Sequence, residues 1–182
     1  MKELSLNILD ITENSVKAGA TLTEIRITES ETELSISITD NGCGMPPEVV
    51  ESVSNPFYTT RTTRSVGLGI PLLKLAAEQT GGHITITSIV DDGNRSDHGT
   101  VVTAHFFKNH IDFTPLGDVI STVTTLIYGH PDVDFVFIHE KDGKEVVLDT
   151  RELRVALEDV PLNTYEVIQW IEEFLKEQYE NQ

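Results

Sequence analysis

An alternating segment that runs directly into a glycine- and proline-rich loop is the feature that most constrains the fold. Leu34, Ile36 and Ile38 alternate with polar residues, and the sequence DNGCGMPP follows at 40–47. The alternation predicts a strand with one covered face, and the glycines and prolines predict that it ends there. A second alternating segment, Leu22 to Thr28, precedes it. We therefore predict a hairpin that leads into a tight loop.

The rest of the first half repeats this order of elements. Apolar spacing predicts helices over 5–18 and 68–79, and alternation predicts strands over 84–90 and 100–107. A short helix is expected over 47–53. Helices followed by mostly antiparallel strand pairs favour an α+β fold, a two-layer α/β sandwich with helices on one face of the sheet.

The charge divides the 182-residue chain into two parts. Residues 1–109 carry 14 acidic and 8 basic side chains, whereas residues 110–182 carry 16 acidic and 5 basic ones. We predict a first domain over 1–109 and a small acidic α/β segment over 110–182 with an interaction or regulatory role. The predicted elements of this segment are helices over 116–127, 151–157 and 165–179 and strands over 135–139 and 145–148.

The last predicted helix has one apolar stripe and one acidic face. Ile168, Ile171 and Leu175 follow helical spacing, which is most simply explained by packing in the core. The acidic face offers an alternative role as a docking surface for a basic partner.

Composition excludes several classes of protein. The net charge of -17 argues against binding of nucleic acid or an anionic membrane, because phosphates would be repelled. Cys43 is the single cysteine, so an internal disulfide is excluded. The sequence has no apolar run near the roughly 18 residues that a membrane span needs, and it does not begin like a signal peptide. We therefore expect a cytoplasmic protein.

Several polar and glycine-rich features each fit one part of a nucleotide site. Asp10, Asn14 and Lys17 are three or four residues apart and share one helix face. An asparagine oxygen suits Mg²⁺, a carboxylate one turn earlier can orient a water molecule or a hydroxyl group, and a lysine can neutralise phosphate. Asp40 at a strand end can accept a hydrogen bond from an exocyclic amine, which distinguishes adenine from guanine.

Glycines and basic residues fit the remaining parts of such a site. Glycines after Asp40 let the backbone approach a base, and glycines at a helix start expose amides that hold phosphate. The glycine-rich positions are Gly42, Gly44, Gly67, Gly69 and Gly99. Arg61 and Arg64 are the only charged residues between Glu51 and Lys74, which suggests phosphate contact, although a solvated lid is an open alternative.

In this order, the motifs resemble the GHKL superfamily of ATP-binding domains, which includes gyrase, the MutL mismatch-repair ATPase and sensor histidine kinases. Residues 13–21 (ENSVKAGAT) resemble the N box in its MutL form. Residues 55–61 (NPFYTTR) resemble the F box of the kinases, and residues 67–74 (GLGIPLLK) resemble the second glycine box. The resemblance covers about residues 4–107.

The resemblance implies a role for each matching residue. Asn14 would be the Mg²⁺ ligand, and Asp40 would read the adenine amine. In the ATPase branches and the serine-kinase branch, the general base is a glutamate four residues before the asparagine. This chain has Asp10 at that position, and its side chain is one methylene shorter. The remaining implied nucleotide-binding residues are Lys17, Gly42, Gly44, Thr60, Arg61, Arg64, Gly67, Leu68, Gly69 and Thr100. ATP and Mg²⁺ are the implied cofactors.

Three functions stay open at this point. No histidine precedes His83, so a phosphoacceptor helix is not expected within the chain. The first hypothesis is a histidine-kinase-like protein of signal transduction that binds Mg-ATP and phosphorylates or regulates a separate protein partner. The alternatives are a slow MutL-like ATPase whose nucleotide state gates assembly, and a nucleotide sensor without turnover. Homodimerisation is left open.

Overall fold

In the computed structural model, which describes residues 3–54 and 68–182, helices and strands follow the predicted order. The helices are α1 (Leu4–Lys17), α2 (Pro47–Val53), α3 (Gly69–Gln79), α4 (Val119–Gly129), α5 (Thr150–Leu157) and α6 (Tyr165–Glu180). The strands are β1 (Leu22–Glu29), β2 (Glu33–Asp40), β3 (His83–Ile89), β4 (Gly99–Phe107), β5 (Asp134–Lys141) and β6 (Lys144–Asp149).

The strands form one sheet with the order β3-β4-β2-β1-β5-β6. The pair β1–β5 is parallel, and the other neighbours are antiparallel. The register places Thr23, Asp40, Thr100 and Ser88 in one row across four strands. This polar row crosses the sheet at the end where β2 meets its glycine-rich loop.

Helices cover one face of the sheet, as predicted. The apolar stripe of α1, which includes Leu4, Ile8 and Ile11, is at most 2% exposed. It packs on β1 and β2, while α3 packs on β3 and β4 and α6 packs on β6. The other face carries charged side chains such as Glu24 and Arg26 beside several serines and threonines. The predicted α+β two-layer sandwich is therefore confirmed.

The acidic C-terminal segment extends the sheet and shares its core. Strand β5 pairs with β1 along its whole length, and Phe135 and Phe137 belong to the same buried cluster as Ile25 and Ile27. The boundary proposed near residue 109 stays a prediction. The predicted start of the next helix at Leu116 was wrong, because α4 begins at Val119. Asp118 caps this helix: its carboxylate accepts a hydrogen bond from the amide of Ser121.

A buried polar network joins the two parts of the chain at the far end of β1. The Glu29 carboxylate accepts hydrogen bonds from Lys108 Nζ at 2.9 Å and from His139 Nε2 at 2.8 Å. Nε2 must carry the proton, because the carboxylate can only accept. Nδ1 of the neutral ring then accepts from the hydroxyl group of Tyr179 at 2.7 Å.

Burial and hydrogen bonding set the ionisation of this network. Burial lowers the pKa of His139, and this effect exceeds the opposing influence of Glu29. Burial raises the pKa of Glu29, but the hydrogen bonds and charges of Lys108 and His139 together bring it below its ordinary value. Burial raises the pKa of Tyr179 well above its ordinary value. The network therefore holds an ionised carboxylate beside a neutral imidazole.

Each helix in the described ranges is too short or too polar to cross a lipid bilayer.

Candidate functional site

Asp40, the last residue of β2, is held by three donors from three parts of the chain. Its Oδ2 accepts from the hydroxyl group of Ser15 on α1 at 2.7 Å. Its Oδ1 accepts from the amide of Gly42 at 2.9 Å and from the amide of Thr100 at 3.3 Å. An ionised carboxylate has about four acceptor positions. The arrangement orients the side chain and leaves acceptor capacity for one more donor.

The loop after Asp40 is held between α1 and the β3–β4 connection. The amide of Cys43 donates to the carbonyl of Ala18 at 2.9 Å, and the Cys43 carbonyl accepts from the amide of Asp91 at 2.9 Å. His98 Nδ1 lies 2.6 Å from the Gly42 carbonyl, which fixes that nitrogen as the donor. These contacts hold the loop backbone in one position beside Asp40.

Gly44 is required by the close approach of this loop to β3. Its φ of +71° lies in the left-handed region. A Cβ at this position would lie 2.0 Å from the carbonyl oxygen of Ile89, which is backbone that has no room to move. Gly42 is also restricted, since a Cβ there would lie 3.0 Å from Ala18 and 3.1 Å from Asp40 Oδ1.

The polar row continues from Asp40 to Thr100 and Ser88. The hydroxyl groups of Thr100 and Ser88 are 2.8 Å apart, and Ser88 Oγ accepts from the amide of Met45 at 2.7 Å. Thr23, at the other end of the row, is fully buried, and its hydroxyl group makes no hydrogen bond within the described part of the chain. Hydroxyl groups and ordered water are the usual partners for such a group.

The predicted helix face on α1 lies beside the start of α3. A Cβ at Gly69 would lie 3.1 Å from the Cβ of Asp10, so the first turn of α3 touches this face directly. The side chain of Asn14 makes no hydrogen bond to any described residue, although its Nδ2 is buried. Asp10 and Lys17 are exposed. Leu68, which precedes α3, is 55% exposed.

Glu13 turns away from this face, as the helical spacing predicts. Both of its carboxylate oxygens contact His130 Nε2, at 2.9 and 3.0 Å. Four other predicted residues lie outside the described ranges, so no position is assigned to them: Thr60, Arg61, Arg64 and Gly67.

A cavity of about 400 Å³ opens on the opposite face of the sheet. Its wall includes Glu24, Thr39, Val101 and Thr87, which the register places in the row next to that of Asp40. Asp40 also belongs to the lining of this cavity, while its carboxylate accepts from Ser15 on α1.

Sequence reasoning missed two residues that hold the site together. Ser15 is the one polar member of the stripe Leu4, Ile8, Ile11, Ser15 and Ala18, and that interruption is the signal that identifies it. The sequence signal for Ser88 is weaker. Alternation places Ser88 on the same face of β3 as Ile84 and Ile86, which is the face that the helices cover. Polar residues on an apolar face usually have a buried partner.

A family model described as histidine kinase-, DNA gyrase B-, and HSP90-like ATPase matches residues 2–115. The chain belongs to this ATPase family. The match includes α1, the Asp40 loop, the start of α3 and Thr100, and it therefore contains every predicted site residue.

Curated relatives of this ATPase-family chain include sensor kinases. A putative sensor histidine kinase NtrY-like from Rickettsia bellii is 27% identical over 107 residues, which are 58% of this chain and 16% of that protein. The signal transduction histidine-protein kinase AtoS from Escherichia coli is 34% identical over 92 residues, which are 49% of this chain and 14% of that protein. The chain thus spans less than a fifth of the length of either relative.

Solved structures show the same fold over a longer part of this ATPase-family chain. The MutL ATPase domain of Aquifex aeolicus, complexed with ADP, aligns with a TM-score of 0.53 at 19% identity and covers 82% of this chain and 63% of that one. The N-terminal domain of a DNA repair protein aligns with a TM-score of 0.58 at 16% identity, covering 82% and 53%. The likeness of fold therefore extends beyond residue 115 into the C-terminal segment.

Proposed function

We propose that the chain binds an adenine nucleotide at Asp40, with the phosphates directed toward α1 and the start of α3. The three donors on Asp40 carry this proposal. They orient the carboxylate while acceptor capacity remains for the exocyclic amine of adenine. Guanine presents a carbonyl oxygen at that place, which a carboxylate repels. The hydroxyl groups of Thr100, Ser88 and Thr23 supply further polar groups beside the base.

The residues on α1 fit a magnesium ion bound with the phosphates. Asn14 is the residue that would hold Mg²⁺, since its side chain makes no hydrogen bond within the described residues and its amide oxygen is therefore available. A side-chain amide oxygen is a ligand type that Mg²⁺ accepts together with phosphate oxygens and water. When bound, the ion neutralises the phosphate charge that develops during phosphoryl transfer.

We propose that the nucleotide serves phosphoryl transfer to a separate protein. A nucleophilic side chain of that protein would form a bond to the γ-phosphorus while the bond to the leaving oxygen of ADP breaks. Where the nucleophile is a hydroxyl group, Asp10 accepts its proton, because it is an exposed carboxylate one turn from Asn14 and beside the first turn of α3. The identity of the curated relatives supports this function over the alternatives.

A slow ATPase is the second candidate. The same position of Asp10 suits a water molecule as the nucleophile, in which case phosphate is released and the nucleotide state changes. The fold shared with the MutL ATPase domain supports this candidate. A sensor without turnover remains as the third outcome of the experiment described below.

Substitution of Asp40 tests the binding proposal. Asp40→Asn replaces the carboxylate by an amide that presents a donor toward the adenine amine, so we expect ATP binding to be abolished in calorimetry. Asp112→Asn is the matched control, since it removes one exposed carboxylate elsewhere. Unchanged ATP affinity in Asp40→Asn, with the fold intact by circular dichroism, would show that the adenine assignment is wrong.

Radiolabelled ATP separates the three functions. The protein is incubated with γ-labelled ATP, alone and with the proteins encoded beside it. Label on a second protein supports the kinase, and release of free phosphate without such label supports the ATPase. Binding of ATP with neither product supports the sensor. Asp10→Asn, which removes the proposed base, should lose the release of free phosphate and any transfer of label to a hydroxyl group.

A further inference from the structure

Helix α6 carries a pair of stacked aromatic rings at the edge of the core: Trp170 is exposed, whereas Phe174 is half-buried and packs against the core. The rings of Trp170 and Phe174 are nearly parallel, at 10°, with centroids 4.9 Å apart. Trp170 is 49% exposed, whereas the buried stripe of the helix is formed by Val167, Ile171 and Leu175. Large apolar side chains left on a surface mark interaction sites when they cluster. The outer part of the Trp170 ring is therefore available to a partner outside the fold.

Three glutamates surround the ring pair. Glu166, Glu173 and Glu177 lie at positions −4, +3 and +7 from Trp170, so helical spacing places them along the same flank. All three are exposed, and none forms an ion pair with a cation among the described residues. The lysine of this helix, Lys176, bonds instead to Glu172 at 2.7 Å. The rings thus lie in a surface of net negative charge.

We propose that this aromatic–acidic face of α6 binds a basic amphipathic helix of a partner protein. An apolar side chain of that helix would cover the Trp170–Phe174 pair, and its lysines or arginines would meet the three glutamates. Cations also bind favourably over a tryptophan ring. Aromatic anchors surrounded by a polar rim are the usual form of a binding hot spot.

Charge selects this occupant over a second copy of the chain. A twofold contact places the same surface on both sides, so the three glutamates of one copy would face those of the other. Residues 110–182 carry 16 acidic and 5 basic side chains, which adds to this repulsion. The proposal is independent of the nucleotide proposal, because no site residue described above lies on α6.

Trp170 is the only tryptophan, so its fluorescence reports on this face directly. The probe is an 18-residue peptide of leucine and lysine at amphipathic helical spacing. The same residues in scrambled order, with leucines all around the helix, serve as the control peptide. We expect the amphipathic peptide to shift the Trp170 emission to shorter wavelength and to bind at least tenfold more tightly than the scrambled one.

Variants distinguish a ring-based site from general attraction to an acidic protein. Each of the variants Trp170→Ala and Phe174→Ala is expected to weaken binding of the amphipathic peptide about tenfold, because each removes one central anchor. Binding to Trp170→Ala is measured by calorimetry, since this variant has lost the fluorescent residue. Replacement of Glu166, Glu173 and Glu177 by glutamine is expected to weaken binding and flatten its salt dependence. Ile111→Ala is the control, because Ile111 is 95% exposed and lies in the loop after β4.

Two results would overturn the proposal. Equal affinity for both peptides, or unchanged affinity in Trp170→Ala, would show that the face has no ring-based site. A dimer in sedimentation analysis that Trp170→Ala dissociates would show that a second copy covers the rings.

Discussion

The hydroxyl group of Ser15 donates to Oδ2 of Asp40 across 2.7 Å, which ties α1 to the end of β2. Ser15 directly follows Asn14 on the helix. This hydrogen bond adds to the packing of α1 on β1 and β2 and links the helix that carries the proposed metal ligand directly to the proposed adenine-binding carboxylate. The two halves of the candidate site depend on each other through this contact.

Loss of this hydrogen bond should weaken nucleotide binding without abolishing it. Ser15→Ala leaves two amide donors on Asp40 but removes the one that links it to α1. A hydrogen bond to a charged group contributes roughly 1.5–3 kcal/mol, so we expect at least about tenfold weaker ATP binding in calorimetry. Ser37→Ala is the control, because Ser37 bonds Thr103 on the other face of the sheet. Equal affinity in both variants would contradict the coupling.

The side chain of Asn14 should contribute more to ATP affinity when Mg²⁺ is present. Asn14→Ala removes the proposed ligand, so we expect a larger loss of ATP affinity with Mg²⁺ than with the chelator EDTA. The comparison uses calorimetry under both conditions, with Asn163→Ala as an exposed asparagine control. Losses of ATP affinity of the same size with and without Mg²⁺ would show that Asn14 is not a ligand of the ion.

Asp10 should affect turnover and spare binding. Asp10→Asn keeps the shape of the side chain but cannot accept a proton, and general bases contribute about 10²–10⁴-fold to rates. We expect phosphate release or transfer to a hydroxyl group to fall by that order. ATP affinity should stay within about twofold of the unmodified protein, because the proposed role of Asp10 is toward the nucleophile and not toward the nucleotide. A rate that does not change would place the base at another residue.

Gly44 and Gly93 form a matched pair for the loop geometry. Both have positive φ, +71° and +81°, but only a Cβ at Gly44 meets backbone, 2.0 Å from the Ile89 carbonyl oxygen. Left-handed backbone alone costs an alanine about 1–2 kcal/mol. Gly93→Ala should lose about that much stability in urea unfolding and keep its ATP affinity. Gly44→Ala should lose more stability and most of its ATP affinity, and equal behaviour of the two variants would contradict the close approach.

Acid should destabilise the fold through the Glu29–His139 pair. The pKa of His139 is lowered in the folded state, so its contribution is complete above the unfolded value of 6.5 and is lost as the pH falls below it. The lowered pKa of Glu29 adds a second loss as the pH falls below 4.5.

Urea unfolding at pH values from 8 to 4 measures this dependence. His139→Gln should be less stable at pH 8 and should lose less stability than the unmodified protein between pH 6.5 and 5. His110→Gln, at an exposed histidine, should retain the original slope. If the stability of His139→Gln fell with pH in parallel with that of the unmodified protein, the His139 imidazole would not be the cause of the loss of stability in acid.

Local patterns predicted the elements, because helical and strand spacing depend on neighbouring residues. The strands around Ile36 and Val102 and the helices around Ile8 and Leu73 follow from periodicity alone. The motif order also predicted that Asp40 and Thr100 belong to one site, and the register makes these two residues direct neighbours. These predictions needed no knowledge of how distant segments pack.

Contacts between distant segments could not be predicted in the same way. The hydrogen bond from Ser15 to Asp40 spans 25 residues. The parallel pairing of β1 with β5 joins segments more than 100 residues apart. The alternation within β5 indicates a strand, but it does not indicate which strand will be its neighbour in the sheet. The start of α4 depends on the cap formed by Asp118, which apolar spacing alone does not reveal.

The pairing of β5 with β1 bears on how the chain can be divided. A fragment that stops at residue 115, where the family match ends, would leave β1 as a bare edge with unused amides and carbonyls. It would also strip Glu29 of its imidazole donor. Fragments cut there should associate through that edge, because strand β5 of the acidic C-terminal segment occupies it in the longer chain.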